Sequence, residues 1–120
     1  HPNTTRITVS RGDRSATMIG SSLGAGRILV TSIDGFPVEV TGAYTTLVAV
    51  AKDAPGIVAK VATVLAEEKV NLATLRVSRH RKGGEAIHVY ELDSPPDAAA
   101  VDRIKGLAAV KPVRVVDRVA

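Results

Sequence analysis

The chain has 120 residues, of which 45% are apolar and 23% are charged, and its net charge is +4. These values exclude a disordered chain and predict one globular domain, or one domain with part of another. No apolar run approaches the roughly 18–20 residues of a membrane helix, and the lack of cysteine excludes disulfides and thiolate chemistry. We therefore expect no membrane contact and a cytoplasmic location.

Residues 1–43 predict a small antiparallel sheet without a helix. Ile7 and Val9, and later Val38 and Val40, alternate with polar neighbours as in half-buried strands. Turn sequences separate these runs, namely Arg11-Gly12-Asp13, Gly24-Ala25-Gly26 and Asp34-Gly35. Since no helix covers this sheet, we expect a missing N-terminal portion or another subunit to shield it.

After a short link at residues 42–45, residues 46–120 predict a second unit of alternating strands and helices. The predicted order is strand 46–53, helix 55–68, strand 71–79, strand 85–93, helix 96–108 and strand 110–119. Pro112 predicts that the last strand is an edge strand or begins only after this residue. The β-α-β-β-α-β order indicates an α+β, ferredoxin-like fold. Two helices on one face would leave the other face half-bare, which favours self-association.

The start of the first predicted helix allows two interpretations. Pro55 suits the first helical position, and Asp53 or Ala54 is predicted to be the N-cap. Capping alone explains this pattern. Alternatively, the free N–H groups of the helix attract a carboxylate, Gly56 lets a ligand approach the backbone, and Asp53 accepts from an ammonium group.

A basic turn follows the second predicted strand of this unit. A single-strand nucleic-acid site usually adds aromatic side chains for stacking, and none interleaves with this cluster. We therefore expect a solvated hairpin rather than a nucleic-acid site, with a phosphate or partner contact as the alternative. The basic residues are Arg76, Arg79, Arg81 and Lys82, and the aromatic ones are Phe36, Tyr44 and Tyr90.

The sequence presents no set of residues for catalysis or for a metal. The three histidines, His1, His80 and His88, lack the paired spacing of metal ligands, and we expect His80 and His88 to be structural. The serines have no recognisable acid–base partner. We therefore predict no catalytic residue and no metal-binding residue in this chain.

"VAVAKDAPGIVAKVATVLAEEKVNLATLRVSR" resembles the core of an ACT domain, an amino-acid-sensing module attached to many metabolic enzymes. The resemblance covers residues 46–119 and implies a ligand site at the strand–helix turn. The residues it implies are Asp53, Ala54, Pro55, Gly56 and Ile57, completed by Asn71 and Leu72 from a paired domain. It also implies a homodimer through this domain and an amino acid such as L-serine as ligand.

"HPNTTRI", "MIGSSLGAGRI", "SIDGFPV" and "GGEAIHVYELDSP" resemble the β subunit of bacterial iron–sulfur-dependent L-serine dehydratases. Residues 1–43 then form the end of its β domain, and residues 46–120 its ACT domain. The family's upstream Gly-Pro-Ser-Ser-Ser-His segment is missing, so we expect the C-terminal part of a longer subunit.

This resemblance implies a reaction, a cofactor and a partner. The reaction is the loss of water from L-serine to give pyruvate and ammonia, with a [4Fe–4S] cluster as Lewis acid. Such clusters are held by cysteine thiolates, so we expect the cluster on a partner α subunit and none on this chain. His1 and Asn3 lie in a triplet that the resemblance places in a domain similar to the allosteric substrate-binding domain of some phosphoglycerate dehydrogenases. One expectation is that the imidazole and the amide hold a serine carboxylate or hydroxyl there. The alternative is that both side chains cap a turn.

Three hypotheses for function remain. The favoured one is a regulatory portion of the serine dehydratase β subunit, because the Gly-Ala-Gly and Ile-Asp-Gly-Phe context supports it. The second is the serine-sensing C-terminal region of a phosphoglycerate-dehydrogenase-type enzyme. The third is an interaction module without a ligand.

Overall fold

In a computed structural model, the chain is described over residues 4–11, 14–24, 27–107 and 110–116, with side chains over a narrower part. The strands form two four-stranded antiparallel sheets, in the orders β1-β2-β3-β4 and β6-β7-β5-β8. The elements are β1 (Thr4–Arg11), β2 (Arg14–Gly24), β3 (Arg27–Ile33), β4 (Phe36–Val40), β5 (Thr45–Lys52), α1 (Ile57–Glu67), β6 (Leu72–Arg79), β7 (Glu85–Leu92), α2 (Ala98–Lys105) and β8 (Val110–Val116).

The N-terminal sheet, β1 to β4, is a meander, and its last turn is confirmed. Asp34 and Gly35 both have positive φ, 49° and 81°, as a two-residue hairpin turn requires. The Thr17 N–H donates to the Asp34 carboxylate at 2.7 Å, and the Asp34 N–H donates to the Thr17 carbonyl at 2.7 Å. These two bonds fasten the turn to β2. The turns predicted at residues 12–13 and 25–26 lie outside the described residues.

The second sheet, with α1 and α2, confirms the predicted ferredoxin-like arrangement. Helix α1 agrees with the predicted 55–68 within two residues at each end. Helix α2 is shorter than the predicted 96–108. It begins after Asp97, whose carboxylate accepts the Ala100 N–H at 2.8 Å as the N-cap, and it ends at Lys105 before the C-cap Gly106. The candidate ligand turn, residues 53–56, lies between β5 and α1 of this unit.

The helices cover one face of the second sheet and enclose its main core. Val61 and Leu65 of α1 face inward, whereas Val58 and Ala62 are half-buried. Burying side chains of this size stabilises the fold by about 1.5–3 kcal/mol each. The largest fully buried members are Tyr90, Leu47, Leu65, Leu92 and Ile104.

The other face of the second sheet is not bare, and the expectation of a half-bare face was wrong. Val48, Ile87 and Val89 pack there against apolar side chains of the N-terminal sheet. Strand periodicity indicates which side chains share a face but not which sheet they meet. Each sheet therefore covers a face of the other within one chain. The members from the N-terminal sheet are Ile33, Phe36, Val38 and Val40.

Both edges of the second sheet have exposed apolar side chains, and on β8 this is Val115, which is 37% exposed. Strand β8 pairs only with β5, so the predicted edge position of Pro112 is confirmed. Strand β6 forms the opposite edge, and its Leu75 and Val77 side chains are 38% and 47% exposed. An exposed edge strand with apolar side chains is a site for pairing with another strand. Within the described part of the chain, no helix has the length and apolar character to cross a membrane.

Candidate functional site

The turn between β5 and α1 has a geometry that only its glycine adopts easily. Gly56 is the N-cap of α1 with φ 86° and ψ −9°, and its carbonyl accepts the Lys60 N–H at 3.0 Å. A left-handed residue at this position explains why glycine stands here. No side chain caps the helix, so the prediction that Asp53 or Ala54 is the N-cap was wrong.

The residues at the two ends of the β5–α1 turn pack in the core, and the two residues between them are exposed to solvent. Ala54 packs against the helix-side core, and Ile57 is 5% exposed within it. Pro55 and Gly56 between them are exposed, and a Cβ added at Gly56 would meet no atom within 4 Å. The backbone at the start of α1 therefore faces open space.

The first turn of α1 has the electrostatics for a negatively charged group. The amides of residues 57–59 begin an 11-residue helix, and its first turn contains no acidic side chain. Helix N-terminal N–H groups carry partial positive charge and favour carboxylates by about 0.3–1 kcal/mol at exposed positions. This arrangement can accept the carboxylate of a small ligand.

Asp53 is tied to the hairpin between β6 and β7 rather than to the helix. One carboxylate oxygen accepts the Gly83 N–H at 2.9 Å and an Arg79 guanidinium N–H at 2.6 Å. The Asp53 N–H donates to the Gly84 carbonyl at 2.8 Å. The Gly83 hydrogen bond, followed by the Arg79 contact, lowers the pKa of Asp53 below its ordinary value. Asp53 is therefore an ionised acceptor that already forms an ion pair with Arg79.

Arg79 and Gly83 were missed as site residues by the sequence interpretation. Arg79 was assigned to a solvated basic turn, but its guanidinium pairs with Asp53, 26 residues earlier in the chain. Arg76 is also paired, with Glu39 at 2.9 Å. The clue in the sequence was the two glycines after Lys82, which allow the hairpin backbone to approach Asp53 closely.

Asn71 and Leu72 lie at the opposite end of the sheet from Asp53 in the same chain. The seven residue steps from Leu72 to Arg79 along β6 correspond to about 23 Å. The Asn71 side-chain amide donates to the Asp93 carboxylate at 2.8 Å, and Leu72 packs against the helix-side core. One chain alone therefore does not bring Asn71 to the turn, and its contribution from a paired copy stays a prediction.

The histidines have separate environments. His1 and Asn3 lie outside the described residues. His88 is 3% exposed, its Nδ1 lies 3.0 Å from the Tyr90 hydroxyl, and burial lowers its pKa, an effect that the charge of Asp53 opposes. His80 stacks on Phe36 with ring centroids 4.2 Å apart. Both positions fit the structural roles predicted for them.

The donor set of this chain does not fit an iron–sulfur cluster. Such clusters require thiolate ligands, and the sequence contains no cysteine. Among the described residues, no three His, Asp or Glu side chains are grouped as metal ligands. No chemical step through a cluster is therefore assigned to these residues.

Comparison with known proteins gives two kinds of relative. The ACT domain family model matches residues 45–109. The probable L-serine dehydratase β chain of Bacillus subtilis is 33% identical over 107 residues, which are 89% of this chain and 49% of that one. The L-serine dehydratase β chain of Peptoniphilus asaccharolyticus is 25% identical over 108 residues, again 89% and 49%.

D-3-phosphoglycerate dehydrogenase of Synechocystis is 32% identical over 106 residues, or 88% of this chain and 19% of that enzyme. The chain thus spans about half the length of the β chains it matches, and much less of the dehydrogenase. The family model covers the strand–helix turn, both helices and the β6–β7 hairpin. Together with the ferredoxin-like sheet, this match shows that the chain belongs to the ACT domain family.

Proposed function

We propose that this chain is the amino-acid-sensing portion of the β subunit of an L-serine dehydratase. The observation that carries the proposal is the extent of similarity to two serine dehydratase β chains. It extends over 107 and 108 residues, beyond residues 45–109 of the ACT match, and it makes up 49% of each β chain, compared with 19% of the Synechocystis dehydrogenase. The similarity therefore includes much of the N-terminal sheet as well as the ACT domain.

The proposed ligand is L-serine or a related amino acid at residues 53–57. Its carboxylate would accept from the first amides of α1, and its ammonium group would donate to Asp53 in competition with Arg79. The open backbone at Gly56 and the low pKa of Asp53 support this orientation, because they provide a donor end and an ionised acceptor end.

A second copy would complete this site. Antiparallel pairing of two β6 edges about a two-fold axis places the start of one strand beside the end of the other. Asn71 and Leu72 of the partner copy would then lie near Arg79, and hence near Asp53. The exposed Leu75 and Val77 side chains support this interface. We therefore propose a homodimer through the ACT domain, with His1 and Asn3 as further candidate ligand contacts.

Catalysis would belong to another polypeptide. The proposed reaction converts L-serine to pyruvate and ammonia, and a [4Fe–4S] cluster supplies Lewis-acid chemistry at the departing hydroxyl. Because this chain contains no cysteine, we propose that an α subunit holds the cluster. Residues 1–43 would be the end of the β domain and residues 46–120 the ACT domain, in a cytoplasmic complex.

The similarity to the Synechocystis D-3-phosphoglycerate dehydrogenase favours a second candidate. At 32% identity over 88% of this chain, it is close to the first β chain in both measures. In this candidate the chain is a serine-sensing regulatory region of a biosynthetic dehydrogenase. The two candidates share the ligand and the site, and they differ in the catalytic partner.

Co-expression with the neighbouring genes tests the proposed function. The full-length protein, purified by a tag, should retain a cysteine-containing subunit with an iron–sulfur absorption spectrum, and the complex should release pyruvate from L-serine. The 120 residues alone should release none above the blank. Oxidation of 3-phosphoglycerate by the purified protein, with no iron–sulfur partner, would select the dehydrogenase candidate instead.

A further inference from the structure

We propose that the tip of the β6–β7 hairpin, residues 79–84, links the strand–helix turn to the N-terminal sheet and transmits ligand occupancy between them. The proposal concerns regulation of the site described above and, for its ligand step, rests on the proposed function. The contacts that make the link are present in the structure and do not depend on the ligand.

On one side, the hairpin tip is fastened to Asp53. Arg79 and Gly83 donate to the same carboxylate oxygen, at 2.6 and 2.9 Å, and the Gly84 carbonyl accepts the Asp53 N–H at 2.8 Å. Hydrogen bonds to an ionised group are stronger than those between neutral groups. The tip is therefore held against the start of α1 by both side-chain and backbone bonds.

On the other side, the same hairpin is fastened to β4 of the N-terminal sheet. His80 stacks on Phe36 at 4.2 Å, with an angle of 24° between the ring planes. Next to it, the Ser78 hydroxyl donates to the Pro37 carbonyl at 2.7 Å. Since residues two apart on a strand share a face, Ser78 and His80 both point toward β4, while Arg79 between them points toward Asp53.

The contacts with β4 are made by side chains rather than by a backbone ladder. The two strands are edges of different sheets, and an open groove of about 410 Å³ runs beside them. Phe36 is 6% exposed, so the His80 ring completes its burial. Such a junction can shift without breaking the backbone hydrogen bonds of either sheet. A shift of the hairpin tip would move the His80 ring away from Phe36.

Ligand binding would act on this link by competition at Asp53. The ammonium group of an amino acid and the Arg79 guanidinium would both donate to the Asp53 carboxylate. Ligand binding would therefore weaken the Arg79–Asp53 contact that fastens the hairpin tip to the strand–helix turn. A ligand shifts a conformational equilibrium only through such a difference in affinity between two states. The expected result is a looser tip and a less protected β4 in the bound protein.

The link is tested first without ligand, by amide hydrogen exchange of the chain and its Asp53→Asn variant. Exchange at the hairpin tip and at Phe36 and Val38 should rise together, roughly three- to tenfold. The control is Arg103→Gln, which removes exposed ion pairs to Glu67 and Glu68 between the two helices. It should leave β4 unchanged. Faster exchange at the tip alone, or at neither place, would overturn the link. If Asp53→Asn fails to fold, Arg79→Gln removes the same contact and is measured in its place.

The ligand step is tested with L-serine and the His80→Ala variant. Serine should raise β4 exchange in the parent chain, and in the variant it should still bind but no longer alter β4 relative to its own unliganded state. An unchanged serine response of β4 in His80→Ala would overturn transmission through the tip. If serine binds neither chain while Asp53→Asn still loosens β4, the proposed function fails and the link stands.

Discussion

Replacing Gly56 by valine separates the stability of the turn from its ability to bind. Gly56 has φ 86°, and an added Cβ meets no atom of a neighbouring segment within 4 Å, so the backbone conformation is the main cost of the substitution. The left-handed conformation costs a residue with a Cβ about 1–2 kcal/mol. For a domain of this size, that corresponds to a fall in Tm of about 4–8 °C.

The effect on binding should be larger than the effect on stability would suggest. A valine side chain over the turn would block the hydrogen bonds from the first N–H groups of α1 to a ligand carboxylate. Hydrogen bonds to a charged group contribute about 1.5–3 kcal/mol, so the Kd for L-serine should rise about 10- to 150-fold. Calorimetric titration at a temperature where the variant is fully folded measures this change.

Gly35→Val is the matched control. Gly35 has φ 81°, and a Cβ added there also meets no atom within 4 Å, but this glycine lies in the β3–β4 turn. The variant should lose similar stability, while its Kd for serine should change far less than that of Gly56→Val. An unchanged Kd in Gly56→Val would refute the placement of the ligand over this turn and direct attention to His1 and Asn3.

Three further changes test other parts of the structure. Lys69 has φ 61° in a Schellman-type end of α1, so Lys69→Gly should raise the free energy of unfolding by up to about 1 kcal/mol in urea titrations; a loss would contradict this assignment. Because burial lowers the His88 pKa, the unfolded chain binds a proton at this residue at higher pH than the folded chain does. The free energy of unfolding should therefore fall as the pH drops below about 6.5, and it should fall less steeply in His88→Gln. Equal pH dependence of the unfolding free energy in the two proteins would refute this cause. Val77→Lys on β6 should give a monomer by light scattering, while Val115→Lys on the opposite edge should not; a dimer in both would place the interface elsewhere.

The sequence predicted the elements of the second unit well, because local patterns determine them. The β-α-β-β-α-β order, the bounds of α1 and Pro112 at an edge each correspond to a feature of the structure. Helix α2 was predicted too long at both ends, since Asp97 caps its start and the helix ends before Gly106.

Contacts between distant segments could not be predicted from these patterns. The pairing of Asp53 with Arg79 joins residues 26 positions apart, and Phe36 meets His80 across two sheets. Both depend on how the sheets pack rather than on local propensity. The same limitation led to the incorrect N-cap, since Asp53 has the right residue type for a cap but bonds to the hairpin instead.

An NMR titration of the isotope-labelled chain with L-serine tests whether two copies of the chain form one ligand site. Gly56 and Asn71 lie at opposite ends of a sheet about 23 Å long in one chain, and the proposed dimer would bring them to one ligand from two copies. The amide signals of Gly56, Ile57, Asn71 and Leu72 should then shift together, with one saturation curve. Shifts confined to one end of the sheet, or absent from both, would contradict this arrangement.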